Sequence, residues 1–595
     1  MTDRPPNVRL ELAELDWTAD GAPRSRVFDD IYFSREGGLD ETRAVFLQGC
    51  GLPEAWNSGR RRFTIGETGF GTGLNILALL DLWRTTKPPQ GRLSIFSVEA
   101  YPLACEDAAR ALSAWPELAG LAALLTSRWP RLAPGFHRID LPELDTTLDL
   151  AIGDVLWALE AWSGAADAWF LDGFAPARNP QMWRPEVLQA IAARSAPGAR
   201  LATFTVAGNV RRGLQAAGFQ VDKRPGHGAK RERLEARLSG AAQVEPAAPS
   251  VAVIGAGIAG AALARAFRAL GVRPLVVDAG DGSAASGNPA ALVAPALDAG
   301  GGPRASFYAQ AFARAVDLYS PIEGAVIGRR VEQRVRAERD PARFQAVLDS
   351  GLFAEGALTP TPGGLAFEEG LVIRPRAVID AWLGGCDRLS ARIDRLERAQ
   401  GRWRLWADDS VIAETDLVVI AAGMGSGVLM GDVAAFTPVR GQASWAFGLE
   451  IDHAVAWGGY ACPMDMVGRR GVLFGATHDR GRTDREVLPE DHARNLRTLA
   501  EGLPELAAVA GAMPLDGRAA VRATTFDRMP VAGALAEPGL YLLGGLGSRG
   551  FCTAPLLGEH VASLALGLPS PLPNSLMALN ITERLEKISR IPTGC

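Results

Sequence analysis

Cysteine and histidine are scarce in this chain, with six of each in 595 residues. Cys50, Cys105, Cys386, Cys462, Cys552 and Cys595 are scattered and form no CxxC pair. That spacing excludes a disulfide framework and fits a reducing cytoplasm. The histidines show no HxxxH or HxH spacing, so no metal site is expected. No apolar run approaches the roughly 18 residues of a membrane span, so no membrane is expected. The amino-terminal MTDRPPNVRLELAEL has no apolar core behind its positive charges and does not read as a signal peptide. An excess of positive charge is also missing. Lys and Arg number 62 against 67 Asp and Glu, a net charge of −5, so the chain as a whole does not advertise nucleic-acid binding. No internal period suggests a solenoid.

Glycine, by contrast, is plentiful at 67 residues, consistent with nucleotide-type turns. The length predicts three or four structural units. SGAAQVEPAAPS at 239–250 has neither helical nor strand period and reads as a linker between 1–238 and 251–595. In the first module RRFTIGE, LSIFSVEA (93–100), LDLAIGD (148–154) and AWFLDGF (168–174) read as strands, each with an acid at or near its carboxyl end. A helical spacing follows Gly73. Strands alternating with helices imply an α/β, Rossmann-like open parallel sheet, with Glu67, Glu99, Asp154 and Asp172 converging where such sheets bind ligands.

Glu67-Thr-Gly69-Phe-Gly71-Thr-Gly73 carries the first signature. Its glycines let backbone approach a ligand closely. Its acid comes before the glycines, unlike a dinucleotide motif, so it repels a pyrophosphate and attracts a cation. S-adenosylmethionine, with its sulfonium and ammonium, fits. Glu99 then suits a ribose diol and Asp154 an adenine amine. Asp172, followed by Gly, Phe174, Ala and Pro176, reads equally as the group that holds and deprotonates an amine or as a turn cap. From Asn209 to Arg237 there are eight Lys/Arg against three Asp/Glu. That stretch, with Arg211, Arg212, Lys230 and Arg231, is either an RNA-phosphate patch or a solvated helix face.

The second module opens with VAVIGAGIAGAALARAFRALG. Gly255, Gly257 and Gly260 lie between a strand and a helix, and Asp278 ends the next strand 23 residues after Gly255. This is the full dinucleotide context. Further buried strands are LVVIAAG (417–423) and YLLGGLGSRGF (541–551); the latter's turn holds Gly545, Gly547, Ser548 and Gly550. FAD is favoured over NAD because so elongated a cofactor reaches several distant segments, among them the small-residue loop SAASGNPAALVAP at 283–295. Stretches at about 305–400 and 440–520 mix strand and helix signals and are read as an inserted α+β substrate domain. Arg522 and Arg549 are candidate carboxylate clamps, each as readily a structural arginine. Arg440 is expected to be structural, and Cys552 a packed core thiol rather than a flavin attachment site. LMALNITERLEKISRI from 576 is expected to form a short amphipathic helix against the body.

GETGFGTGLN, LDGFAPARNP, TFTVAGNVRRGLQAAGF, VIGAGIAG and GGLGSRGFCTAPLLGE together resemble the bifunctional tRNA 5-methylaminomethyl-2-thiouridine biosynthesis family over nearly the whole chain. The second module is also similar to glycine-oxidase-like and sarcosine-oxidase-like enzymes. The resemblance implies a class I methyltransferase fold followed by an FAD-binding fold of glycine-oxidase type. It implies as substrate the wobble uridine of certain tRNAs, bearing a carboxymethylaminomethyl group. Oxidation at the glycyl carbon, with Arg522 and Arg549 holding the carboxylate, would release glyoxylate and leave an amine. Methylation of that amine would follow, with Asp172 positioning and deprotonating it. A cytoplasmic monomer is expected. Two other readings stay open: an oxidase–methyltransferase of a free small amine such as sarcosine or glycine, and a tRNA-binding scaffold with vestigial nucleotide sites.

Overall fold

A computed structural model of the chain describes residues 10–33, 37–57, 60–228, 231–241, 247–280, 282, 284–431 and 435–588. They form two compact units, Met1–Ala247 and Ala248–Cys595.

The first unit is built on an eight-stranded sheet. Its centre is five parallel strands in the spatial order Thr146–Ile152, Arg92–Glu99, Arg62–Thr68, Ala166–Leu171, Ser195–Thr203. Leu148, Leu150, Ile152, Ile95, Ile65, Phe170 and Leu201 are all buried there, because helices cover both faces. Burial of each such side chain contributes about 1.5–3 kcal/mol. The sheet is not wholly parallel as the strand–helix alternation suggests. Gly135–Leu141 closes one edge antiparallel, and the hairpin Phe219–Pro225/Glu232–Leu238 closes the other. The reason is local: each of these strands is joined to a neighbour without a crossover helix, which forces an antiparallel pairing. The chain order reverses between Arg62–Thr68 and Ala166–Leu171, so a crevice opens beyond their carboxyl ends.

The second unit repeats that logic. Asp387–Ser390, Leu275–Asp278, Val251–Ile254, Leu417–Ile420 and Leu540–Gly544 are parallel, and Val531–Ala534 lies antiparallel at the edge. Helices Ile258–Ala269, Pro303–Tyr319 and Gly550–Ala565 pack through one large apolar cluster. Among them sits a buried ionic group. Glu559 accepts from Arg314 at 2.9 and 2.5 Å and also pairs with Arg265.

A ten-stranded sheet makes the other half, with Gly364–Ile373 and Thr437–Phe447 among its strands. Its parts are interleaved in sequence with the nucleotide-binding half. Asp387–Ser390 joins the nucleotide sheet beside Leu275–Asp278, so the interval 305–400 is not all substrate domain. That strand is four exposed residues with one apolar side chain, too weak a pattern to assign from sequence. The carboxyl-terminal stretch is two short helices, Asn574–Ala578 and Glu583–Ile588, rather than the single helix expected. They break where the Asn580 carbonyl is taken by the Ala532 amide. Among the described residues no helix is long and apolar enough to cross a membrane, and no group of His, Cys, Asp and Glu is arranged to hold a metal.

Candidate active sites

In the first unit Gly69, Gly71 and Gly73 all have positive φ (84°, 53° and 83°), a region that L side chains rarely adopt. The loop they form is held by the acid of the next strand. Glu99 Oε2 accepts from the Gly71 amide at 2.8 Å, and Oε1 from the Tyr101 amide at 2.9 Å. Burial raises the Glu99 carboxyl above its ordinary range, against the pull of those amides. Its remaining lone pairs still suit a diol.

Glu67 lies one residue from the end of its strand and is fully buried. Ser97 Oγ donates to its Oε2 at 2.5 Å, while Oε1 is buried with no hydrogen-bond partner among the described residues. Burial pushes its carboxyl up to about 8, against the pull of Ser97 and, more weakly, the Asn75 amide, with Asp172 and Glu99 adding repulsion. An orphaned buried carboxyl oxygen beside a glycine loop fits a cationic amino-acid group far better than a phosphate. The residues present therefore fit S-adenosylmethionine.

Asp172 follows the strand Ala166–Leu171. Its Oδ1 accepts from the Gly173 amide at 2.8 Å, and its Oδ2 from Asn75 Nδ2 at 2.7 Å. Asn75 is itself oriented by Thr42 Oγ1, which donates to its Oδ1 at 2.9 Å. The aspartate is thus pinned in one orientation by a chain of side chains. Phe174 stacks on Phe28 (centroids 4.8 Å apart) and meets the edge of Tyr32 (5.0 Å), and Tyr101 closes on Phe28 (5.5 Å). Burial, together with the nearby Glu99, keeps the Tyr32 hydroxyl protonated.

Asp154 is drawn on locally. Its Oδ1 caps the helix Val155–Ala161 through the Leu156 and Trp157 amides at 2.9 and 3.1 Å, and Arg184 donates to the same oxygen at 3.1 Å. An aspartate at such a helix start is a common cap.

Of the basic stretch, Lys223 pairs with Glu232 (2.7 Å), Arg224 with Asp222 (3.3 Å) and Arg233 with Glu235 (2.6 Å), so much of its charge is neutralised within the hairpin. Arg212 and Arg231 are exposed, and Arg211 is half-buried on the helix Gly208–Ala216. Lys230 lies outside the described residues. Leu234 is opposite Thr203, the last residue of its strand. The Pro225–Glu232 end of the hairpin therefore projects past the carboxyl edge, on the side of the acids.

In the second unit Gly255 has φ 109°, and a Cβ there would come within 2.5 Å of the Ala421 carbonyl oxygen. The loop is again held by the acid of the second strand: Asp278 accepts from the Ala256 amide (2.7 Å) and the Gly280 amide (2.9 Å). Gly257 precedes and Gly260 lies in the twelve-residue helix Ile258–Ala269, whose first turn has no acid. A helix start free of negative charge, with a carboxylate at the next strand end, fits the pyrophosphate and ribose of FAD.

Gly545 and Gly547, with φ 66° and 55°, shape the turn between the strand Leu540–Gly544 and the helix that Gly550 begins. At that turn Arg522 donates to Ser548 Oγ at 3.2 Å. Arg549 donates to the Ala294 and Pro295 carbonyls at 3.0 Å each. Both guanidinium groups are pushed down by burial, yet Arg549 keeps an exposed surface. Tyr460, half-buried, and His478 lie close enough for their titration to be coupled to Arg522. Arg518 pins the 283–295 loop through the Ala284 carbonyl at 2.6 Å and Asn288 at 3.2 Å. Arg440 is fully buried against Asp491 (2.5 Å) and Asp484 (2.8 Å). Cys552 is buried in the helix Gly550–Ala565, and burial pushes its thiol up to about 12.

Phe28, Tyr32, Tyr101 and Tyr460 give no signal in the sequence, whereas Phe174 stands in the motif with Asp172. Phe28 and Tyr32 lie about 140 residues before Phe174 and carry no motif. Asn75 falls within GETGFGTGLN, but its helical spacing there points to packing rather than to a polar role.

The chain matches the family model of S-adenosyl-L-methionine-dependent methyltransferases over residues 116–239, and that of FAD-dependent oxidoreductases over 250–564. It is 56% identical to a tRNA 5-methylaminomethyl-2-thiouridine biosynthesis bifunctional protein of Caulobacter sp. (strain K31), covering 98% of each chain. It is 44% identical to a protein of the same name from Maricaulis maris, over 95% of this chain and 94% of that one. A solved glycine oxidase from Bacillus cereus aligns with 56% of this chain and 98% of its own, at 18% identity and a TM-score of 0.44.

Proposed function

The chain belongs to the family of bifunctional tRNA 5-methylaminomethyl-2-thiouridine biosynthesis proteins, with an S-adenosylmethionine-dependent methyltransferase and an FAD-dependent oxidoreductase on one polypeptide, and we propose that its two sites act in turn on a tRNA wobble uridine in the cytoplasm. The second unit takes 5-carboxymethylaminomethyl-(2-thio)uridine to the 5-aminomethyl form. The first then takes that amine to 5-methylaminomethyl-(2-thio)uridine. The observation that carries this reading is the pairing of two arginines at the Gly545–Gly550 turn with an oriented aspartate beside an aromatic cluster: one suits a CH2COO⁻ group, the other an amine.

FAD supplies a two-electron acceptor and S-adenosylmethionine an electrophilic methyl group. The protein's own contribution is placement. Arg522, steadied by Ser548, and Arg549, steadied by two carbonyls, would clamp the substrate carboxylate by charge-assisted hydrogen bonds. That fixes the glycyl carbon, from which a hydride leaves. The resulting C=N bond is hydrolysed, so glyoxylate departs and a primary amine remains.

In the first unit Asp172, held by Asn75, would accept a proton from the ammonium form of that amine, since only the free lone pair attacks a methyl group. Phe28, Tyr32 and Phe174 would exclude water around it. Glu67 and the Gly69–Gly73 loop would face the donor's cationic end, Glu99 its ribose and Asp154 its adenine. Gly255, Gly257, Gly260, Asp278, Gly545, Gly547, Ser548 and Gly550 would line the FAD site. Arg211, Arg212 and Arg231 would meet tRNA phosphates.

Purified protein incubated with carboxymethylaminomethyl-tRNA tests this reading. Nucleoside mass spectrometry should show the aminomethyl form without methyl donor and the methylaminomethyl form with it. Oxidation of free sarcosine or glycine with the tRNA left unchanged would favour the small-amine reading instead.

A further inference from the structure

Around Arg522 stands a set of groups that the chemistry above does not use. On the strand Thr437–Phe447, Val439 is paired with Arg480 on one neighbour and with Arg522 on the other. Residues opposed across antiparallel ladders share a face of the sheet. Arg480 therefore sits on the same face as the clamp residue Arg522, two strand spacings or about 10 Å away. The adjoining rung agrees with this facing: Asp479 and Arg440 lie on the opposite side, where Asp479 meets Arg494 at 2.9 Å.

The strand bearing Arg522 runs into the loop Thr525–Met529, which Thr525 Oγ1 closes on the Met529 carbonyl at 2.7 Å. From this stiff loop Phe526 projects, 59% exposed. Arg528 is exposed too, in a left-handed backbone at φ 64°. Asp527, between them, is turned away to Arg584 at 2.5 Å. Among the described residues neither Arg480 nor Arg528 has a carboxylate within ion-pair distance. His478 is held less basic by burial and then by Arg522, Arg480 and Arg528, against Asp479, consistent with these groups sharing one electropositive patch.

We propose that Phe526, Arg480 and Arg528 form an anticodon-loop rim on the oxidase unit. Phe526 stacks on an unpaired base, and the two arginines take phosphates flanking the nucleotide whose side chain reaches the clamp. This rests on the tRNA reading above. An exposed aromatic ring in a loop with an unpaired guanidinium group, on the strand end beside a second, is the chemistry of single-stranded RNA recognition. A free amine substrate has no use for groups outside the clamp.

The test is anaerobic reduction of the bound flavin by carboxymethylaminomethyl-tRNA, for the wild type and for Phe526→Ala, Arg480→Ala and Arg528→Ala. Loss of one base stack is worth about 1–3 kcal/mol, so half-saturation for Phe526→Ala should rise roughly 5- to 150-fold. The limiting rate and the flavin content should not change. Each arginine variant should lower the slope of log affinity against log salt by about 0.7. Wild-type half-saturation in all three variants overturns the rim, as does a loss of flavin, which would make the residues structural. A wild-type flavin that tRNA does not reduce sinks the tRNA reading itself and the rim with it.

Discussion

Glu67 shows how the fold can set the protonation of one residue. Its carboxyl is buried, has one oxygen without a partner, and titrates at about 8. Unfolded, the group titrates near 4.3. The folded value is the higher, so folding binds the proton more tightly. The stabilisation from this group is present in full below the unfolded value and is lost as pH rises through about 8. In calorimetry without methyl donor, the transition that the donor shifts upward belongs to the first unit. Its midpoint should fall between about pH 4 and 8, and Glu67→Gln should flatten that fall. An unchanged pH dependence in Glu67→Gln would mean the carboxyl is ionised in the cofactor-free fold. With donor present at about pH 7, the positive charge should drive the proton off Glu67. Binding should therefore release protons, seen as a dependence of binding heat on buffer ionisation enthalpy, and should release none in the variant.

At the scale of elements, the two units solve one problem in the same way. A strand feeds a glycine loop, and the acid ending the next strand accepts from an amide of that loop: Glu99 from Gly71, Asp278 from Ala256. This much is legible in the sequence, because alternate glycines and an acid at the next strand end are what a tight ligand-binding turn requires. The interleaving of the second unit's two halves is not legible. It depends on which edge the four-residue strand Asp387–Ser390 joins, and nothing local fixes that. The break in the carboxyl-terminal helix is hidden for a similar reason, since a tertiary hydrogen bond to Ala532 makes it. Counting charges along the basic stretch does not reveal that Lys223, Arg224 and Arg233 are matched by acids across or along their own hairpin.

Glu559 joins three helices by pairing with Arg314 and Arg265, so Glu559→Ala removes the buried carboxylate that both share. It should destabilise the second unit by about 3–5 kcal/mol. Chemical denaturation would read this, and a loss under about 1 kcal/mol would mean that water reaches the group. The helix and hairpin of the basic stretch predict a different signature. Arg211, Arg212 and Arg231 changed together to Ala should weaken methylation of tRNA and lower its salt dependence, with unaltered binding of the methyl donor. An unchanged salt slope would return those arginines to the role of a solvated face.

Across the whole molecule, the proposed mechanism gives the two chemical steps to two constellations. Arg522 and Arg549 belong to the Ala248–Cys595 unit and Asp172 to the Met1–Ala247 unit. Each step should therefore fail alone. The most direct measurement is nucleoside mass spectrometry of carboxymethylaminomethyl-tRNA treated with FAD-loaded protein and methyl donor, comparing Asp172→Asn with Arg522→Ala. Asp172→Asn should stop at the aminomethyl nucleoside, with methylation down at least about 100-fold, the lower end of what a general base contributes. Arg522→Ala should accumulate the starting carboxymethylaminomethyl nucleoside while retaining its flavin, and should still methylate aminomethyl-tRNA at the wild-type rate. If Asp172→Asn methylates normally, or if Arg522→Ala oxidises normally, the assignment of chemistry to these residues is contradicted.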